Sequence, residues 1–117
     1  MADKRSPLLY LRDILESVLN IEVYISDITE QEFIQNQEKQ DAVIRRLEII
    51  GEAVKKVPEE IKNEFNNVPW KQIAGMRDVV IHEYFGVSPS LIYKTITSDL
   101  LLLKETVEKI IIDEEAK

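Results

Sequence analysis

The sequence predicts an all-α fold, an antiparallel bundle of long helices with one short helix inserted. Three observations point there. Apolar residues recur at three- and four-residue steps along most of the chain. No segment shows the period-two alternation of a half-buried strand. Only three glycines and four prolines occur in 117 residues, and no long stretch has linker composition.

Leu8, Leu11, Leu15, Val18, Ile25 and Ile28 place a first helix over about residues 7–27. Thr29 and Glu32 fit a capping box, so a long second helix is expected to follow. Its seam is Val43, Leu47, Ile50, Val54 and Val57, and Pro58 ends it by forcing its predecessor out of helical geometry. Pro58 can also open a short third helix, PEEIKNEF, as its N1 residue, with acids in the first turn. Asn66-Asn67-Val68-Pro69 is a break. A fourth helix starts near Pro69, and Gly86 is a good stop for it. Ser88-Pro89 reads as a cap plus an N1 proline for the last helix, which carries Ile92, Ile96, Leu100, Leu103, Val107 and Ile110. The tail Asp113-Glu114-Glu115 is expected to fray into solvent.

The length suits a single domain, residues 1–117. No cysteine is present, which excludes a disulfide framework or a thiolate metal site. One histidine leaves carboxylates as the remaining ligands, a poor set for a transition metal, so neither metal nor cofactor is expected. No apolar run approaches the roughly 18 residues of a membrane span. The N-terminal MADKRSPLLYLRD lacks a signal peptide's apolar core, so a cytoplasmic chain is expected. A net charge of −7 argues against broad, non-specific nucleic-acid binding, but it allows a small basic cleft or a basic partner.

The stretch RDVVIHEYF, residues 77–85, holds the only histidine. On a helical wheel Ile73, Arg77, Val80 and Tyr84 share one stripe, and Gly75, Asp78, Val79 and His82 share its neighbour. An arginine among apolar neighbours must be paired or hold an anion, because an unpaired buried charge is very costly. Its planar fork of donors suits phosphate. Asp78 precedes His82 by one turn and could hold the imidazole's tautomer. His82 is the side chain suited to proton transfer near neutrality, and Tyr84 adds a hydroxyl or an aromatic face.

Arginine plus histidine can cleave RNA without metal: a base takes the ribose 2′-OH proton while arginine stabilises the charged phosphorane. A separate acid must protonate the leaving oxygen. With one histidine per chain, His82 fills both roles only where two protomers meet. Gly75 would permit close approach of helices there. The plain alternative is a structural histidine, with Arg77 paired to one of the many acids and Tyr84 in the core. Arg45-Arg46 and Lys55-Lys56 could line an RNA path or be solvated helix faces. Glu52 could pair with Arg77 or lie on the surface, and Trp70 is expected to be a packing anchor.

The pattern Arg77…His82-Glu83-Tyr84 resembles the signature of HEPN-domain proteins, in particular the toxin of the HepT/MntA type. RRLEIIGEAVKKVPEEIK (Arg45–Lys62), Pro69-Trp70 and GMRDVVIHEYFGV (Gly75–Val87) extend the resemblance, which covers about Leu8 to Ile111. It implies a dimerising bundle of four to five helices, with Arg77 and His82 of both protomers lining a cleft. It also implies a metal-independent endoribonuclease, the toxin of a type II toxin–antitoxin pair. The implied partner is a minimal nucleotidyltransferase antitoxin that transfers AMP onto the motif tyrosine, here Tyr84. Phosphate charge beside Arg77 would then block RNA entry. The family often has asparagine after the arginine. Asp78 here can still orient His82, but it adds negative charge near an incoming phosphate. The competing function is a non-catalytic module that binds a nucleotide or acts with a nucleotidyltransferase, with Tyr84 as its modification target.

Overall fold

The computed structural model of the chain describes residues 6–75 and 88–117. Among these the regular structure is all helix: α1 (Pro7–Ile25), α2 (Glu30–Ile34), α3 (Gln37–Lys56), α4 (Glu59–Glu64), α5 (residues 70–75) and α6 (Pro89–Glu115). The three long helices pack side by side. α1 and α3 run antiparallel, with Lys39 Nζ donating to the Tyr24 carbonyl (2.7 Å) where α1 ends and α3 begins. α1 and α6 are also antiparallel: Arg12 meets Glu115 (2.6 Å), and Glu22 meets Lys104 (3.1 Å).

The core is the seam these helices share. Val43, Leu47, Ile50, Val54 and Val57, the predicted stripe of the second long helix, are all buried. So are Ile92, Ile96, Leu100, Leu103, Val107 and Ile110 of α6. On α1 the most deeply buried side chains are Leu11, Ile14, Val18 and Ile21, while Leu15, Ile25 and Ile28 pack at the margin. The α1 stripe is therefore rotated from the predicted one, because α1 faces two neighbours and its apolar centre lies between them. Each fully buried Leu or Ile stabilises the fold by about 1.5–3 kcal/mol over an exposed one.

The expected long second helix is two helices. Thr29 and Glu32 do form the capping box, with Thr29 Oγ1 accepting from Glu32 N (3.1 Å) and Glu32 Oε1 accepting from Thr29 N (2.9 Å). That helix ends at Ile34, however, because Asn36 caps a new one, its Oδ1 accepting from Lys39 N (3.0 Å). A short polar side chain that bonds nearby backbone competes with helix continuation. The break aims Phe33 inward to full burial, 5.6 Å from the Tyr93 ring. Buried Gln40 holds the corner, its Nε2 donating to the carbonyls of Phe33 and Ile34 (both 2.9 Å).

Three other ends differ from expectation. Pro58 sits at the N-cap of α4 rather than at N1, and its carbonyl accepts from Ile61 and Lys62. Val57 is extended, as its place before a proline requires, and α3 stops there. Pro89 is at N1 of α6 as expected, but the Ser88 side chain makes no cap hydrogen bond. The acidic tail stays helical through Glu115 instead of fraying, because Arg12–Glu115 and Lys117–Glu114 (3.0 Å) fasten it. The bond to Glu114 raises the Lys117 pKa above the ordinary lysine value.

Replacing Gln40 with Ala is expected to cost about 1–3 kcal/mol, the penalty of leaving buried carbonyls unpaired. Urea unfolding measures it, and an unchanged midpoint would show that water serves the corner equally well.

Candidate functional site

The expected site residues Arg77, Asp78, His82 and Tyr84 lie outside the described residues, as do the part of the predicted fourth helix beyond Gly75 and its Gly86 stop, while the expected start near Pro69 is present as α5. The structure does define the two ends between which this motif is strung. The entry is built around Trp70. Its side chain is buried, and Nε1 donates to the Phe65 carbonyl (2.9 Å). Val68 and Ile73 are buried beside it in sequence, and Ile73 N bonds the Pro69 carbonyl (3.0 Å) to start the helix. Asn67 donates to Thr106 Oγ1 (3.3 Å), tying this junction to the flank of α6. Trp70 is the packing anchor that was expected.

The exit is anchored where α2 meets α6. Ser90 Oγ donates to Glu30 Oε2 (2.9 Å), and Tyr93 stacks at a tilt on Phe33. Chain reach ties the motif to these ends: two residues beyond Gly75 span at most about 7 Å, and four residues before Ser88 at most about 14 Å. Arg77 thus lies within that chain reach of Gly75, and Tyr84 within that reach of Ser88.

Of the four α3 cations that could line an RNA path or be solvated faces, two stand in an acidic setting. Arg45 and Lys56 both line a cleft of about 310 Å³ between α1 and α3. Asp13, Glu48 and Glu52 line the same cleft, and Glu48 lies 3.5 Å from Arg45. The balance is negative, which repels phosphate. Glu52 is on the surface of α3, one of its two readings, and Arg77, its partner in the other, lies outside the described residues. Sequence reasoning passes over Lys62 and Lys71, which border a second cleft beside the motif's entry. The available signal was the helical step from Lys71 through Gly75 and Asp78 to His82. Among the described residues, no group of three His, Cys, Asp or Glu side chains is arranged to hold a metal ion. No described helix is long and apolar enough to cross a membrane.

Comparison with known proteins adds independent evidence. The model of the ribonuclease HepT-like family matches residues 14–110. A candidate RNase of Methanocaldococcus jannaschii is 43% identical over 97% of this chain and 98% of its own length. A protein of Thermococcus cleftensis, named probable ribonuclease HepT, is 43% identical over 92% of this chain and 97% of its own. A further M. jannaschii protein, named a gamma-glutamylcyclotransferase and candidate RNase, is 48% identical over 87% of this chain. The match covers 46% of that longer relative. No solved structure matches the chain.

A Cβ built on Gly75 meets nothing within 4 Å. No close approach among the described residues requires the glycine. Gly75→Ala is therefore expected to leave the fold intact and to raise stability by up to about 1 kcal/mol through helix propensity. Denaturant unfolding at fixed concentration reads this, and a comparable loss would place the residue in a crowded contact.

Proposed function

The chain belongs to the ribonuclease HepT-like family, and from that premise we propose that it is a metal-independent endoribonuclease, the toxin of a toxin–antitoxin pair. The observation that carries this reading is the family match itself, which runs through the Arg77–Tyr84 motif. Relatives named as ribonucleases, aligned along nearly the full chain, support it. The anchored ends on either side of the motif support it further, since catalytic groups need a rigid frame.

In the proposed mechanism two chains associate so that their motifs share one cleft. Arg77 binds the scissile phosphate and stabilises charge on the phosphorane. His82 of one protomer removes the 2′-OH proton, and the freed oxygen attacks phosphorus. The P–O5′ bond breaks to leave a 2′,3′-cyclic phosphate, and the leaving oxygen takes a proton from His82 of the partner subunit. Asp78 orients the imidazole. One neutral and one protonated histidine are needed together, so the rate should fall on both the acid and the alkaline side of a maximum. A nucleotidyltransferase antitoxin silences the site by transferring AMP from ATP to the Tyr84 hydroxyl, which loses its proton as the new P–O bond forms and pyrophosphate leaves, placing a phosphodiester charge where RNA phosphate would enter. The net charge of −7 favours a second reading, a non-catalytic module that binds a nucleotide or a nucleotidyltransferase.

Incubation of unmodified protein with bulk cellular RNA in excess chelator separates the two. Discrete cuts by the wild type, reduced at least a hundredfold in His82→Ala, are expected from the loss of general acid–base catalysis. Absence of cuts from both would favour the binding module, and equal cutting would reject His82. If Gly75 lies between protomers, Gly75→Leu should weaken self-association in analytical ultracentrifugation. Unchanged association would move the interface elsewhere.

A further inference from the structure

Between α4 and α5 lies a cleft of about 730 Å³, bordered by Lys62, Asn63, Asn66, Lys71 and Gln72, with Trp70 in its wall. Its charge sets it apart from three other clefts on the described surface. Here two lysines face one carboxylate, Glu59, which is itself 3.6 Å from Lys62. The α1–α3 cleft sets Arg45 and Lys56 against three acids. The α1–α6 cleft holds Glu22 as its charged residue, and the cleft by Pro7 and Pro58 sets Lys117 against Glu60, Glu64 and Glu114. On a chain of net charge −7, the positive balance falls beside the entry to the motif.

We infer that this α4–α5 groove seats the single-stranded RNA segment leading to the cleavage site, an inference that rests on the ribonuclease reading. Lys71 is exposed on α5 and lies six positions before Arg77 in the chain. Even fully extended, that length spans no more than about 21 Å. The Lys62 side chain is mostly covered, 14% exposed, and its ammonium lies beside Glu59 in the groove wall. The two ammonium groups bind backbone phosphates. The amides of Asn63, Asn66 and Gln72 offer donors and acceptors to base edges or ribose hydroxyls, the contacts by which unpaired RNA is read. Trp70 spends its Nε1 on the Phe65 carbonyl and is buried, so it shapes the wall and does not stack on bases. A cleft of this size falls in the range of ligand pockets, about 300–1,000 Å³, and takes one or two splayed nucleotides. Recognition of duplex RNA spans about 16 base pairs and would need a far longer surface.

The test measures binding of a short fluorescein-labelled single-stranded RNA of mixed sequence to the full chain carrying His82→Ala, by anisotropy across a salt series. Wild-type cleavage is assayed alongside. Each phosphate-bound lysine adds about 0.7 to the slope of log affinity against log salt for single strands. Adding Lys71→Gln should lower that slope by about 0.7, and adding Lys62→Gln as well by about 1.4, with affinity falling about tenfold in the double variant. Lys104→Gln is the charge control. Lys104 pairs with Glu22, and its position on the α6 wheel is turned well away from Thr106, where the α4–α5 junction is tied. It should leave the slope unchanged. Circular dichroism confirms folding, and Lys71→Gln on an exposed position keeps the test decisive if the Lys62 variant unfolds. If the wild type cleaves and Lys71→Gln behaves like Lys104→Gln, the groove is overturned while the ribonuclease reading stands. If the wild type does not cleave but binding depends on Lys71, the ribonuclease reading falls and the RNA seat survives. Neither cleavage nor binding would overturn both.

Discussion

The structure depends on one shared apolar seam, the line where α1, α3 and α6 exclude water together. α3 supplies its stripe at Val43, Leu47, Ile50 and Val54, and α6 supplies Leu100, Leu103, Val107 and Ile110. Three long helices can bury such stripes only by lying side by side, which fixes their directions and leaves the short elements to their edges and ends. α2 is a corner between α1 and α3, and α4 with the start of α5 is a bracket between α3 and α6. The motif is strung between that bracket and the α2 corner.

This arrangement separates the parts that hold from the parts that react. Trp70 and Asn67 fix the entry, and Ser90 and Tyr93 fix the exit. None of the four carries proton-transfer or phosphate chemistry in the proposed mechanism. Polar groups in the buried scaffold are used up inside it: Gln40 on the carbonyls of α2, Thr106 on Asn67. No buried side-chain nitrogen or oxygen among the described residues lacks a partner. Such a scaffold would give the proposed site a rigid frame.

Long-period features were legible in the sequence, and short-range competition was not. The α3 and α6 stripes were readable because each side chain repeats a position four or three residues away, and Thr29 with Glu32 was readable because both halves of the box are local. The break at Asn36 was missed because an asparagine within Gln-Asn-Gln looks like solvated helix. Only the inward pull on Phe33 and the bonds of Gln40 make capping win. The tail was misjudged because Arg12, which fastens Glu115, lies 103 residues away. Arg77, His82 and Tyr84 were singled out by spacing and resemblance, and they lie outside the described residues. Lys71 sits at helical spacing from Gly75, Asp78 and His82, but Lys62 joins it only when α4 and α5 are folded against each other, a pairing that spacing along one helix does not reveal. The α3 cations pointed the other way, because their acidic neighbour Asp13 comes from α1.

The central claim is that two copies of His82 act in one cleavage event. The most direct measurement mixes wild-type and His82→Ala chains at fixed total concentration, allows them to exchange partners fully, and follows RNA cleavage against the wild-type fraction. A shared site needing both histidines predicts activity that falls as the square of that fraction. A linear fall would mean that each protomer cleaves alone and would contradict the composite site.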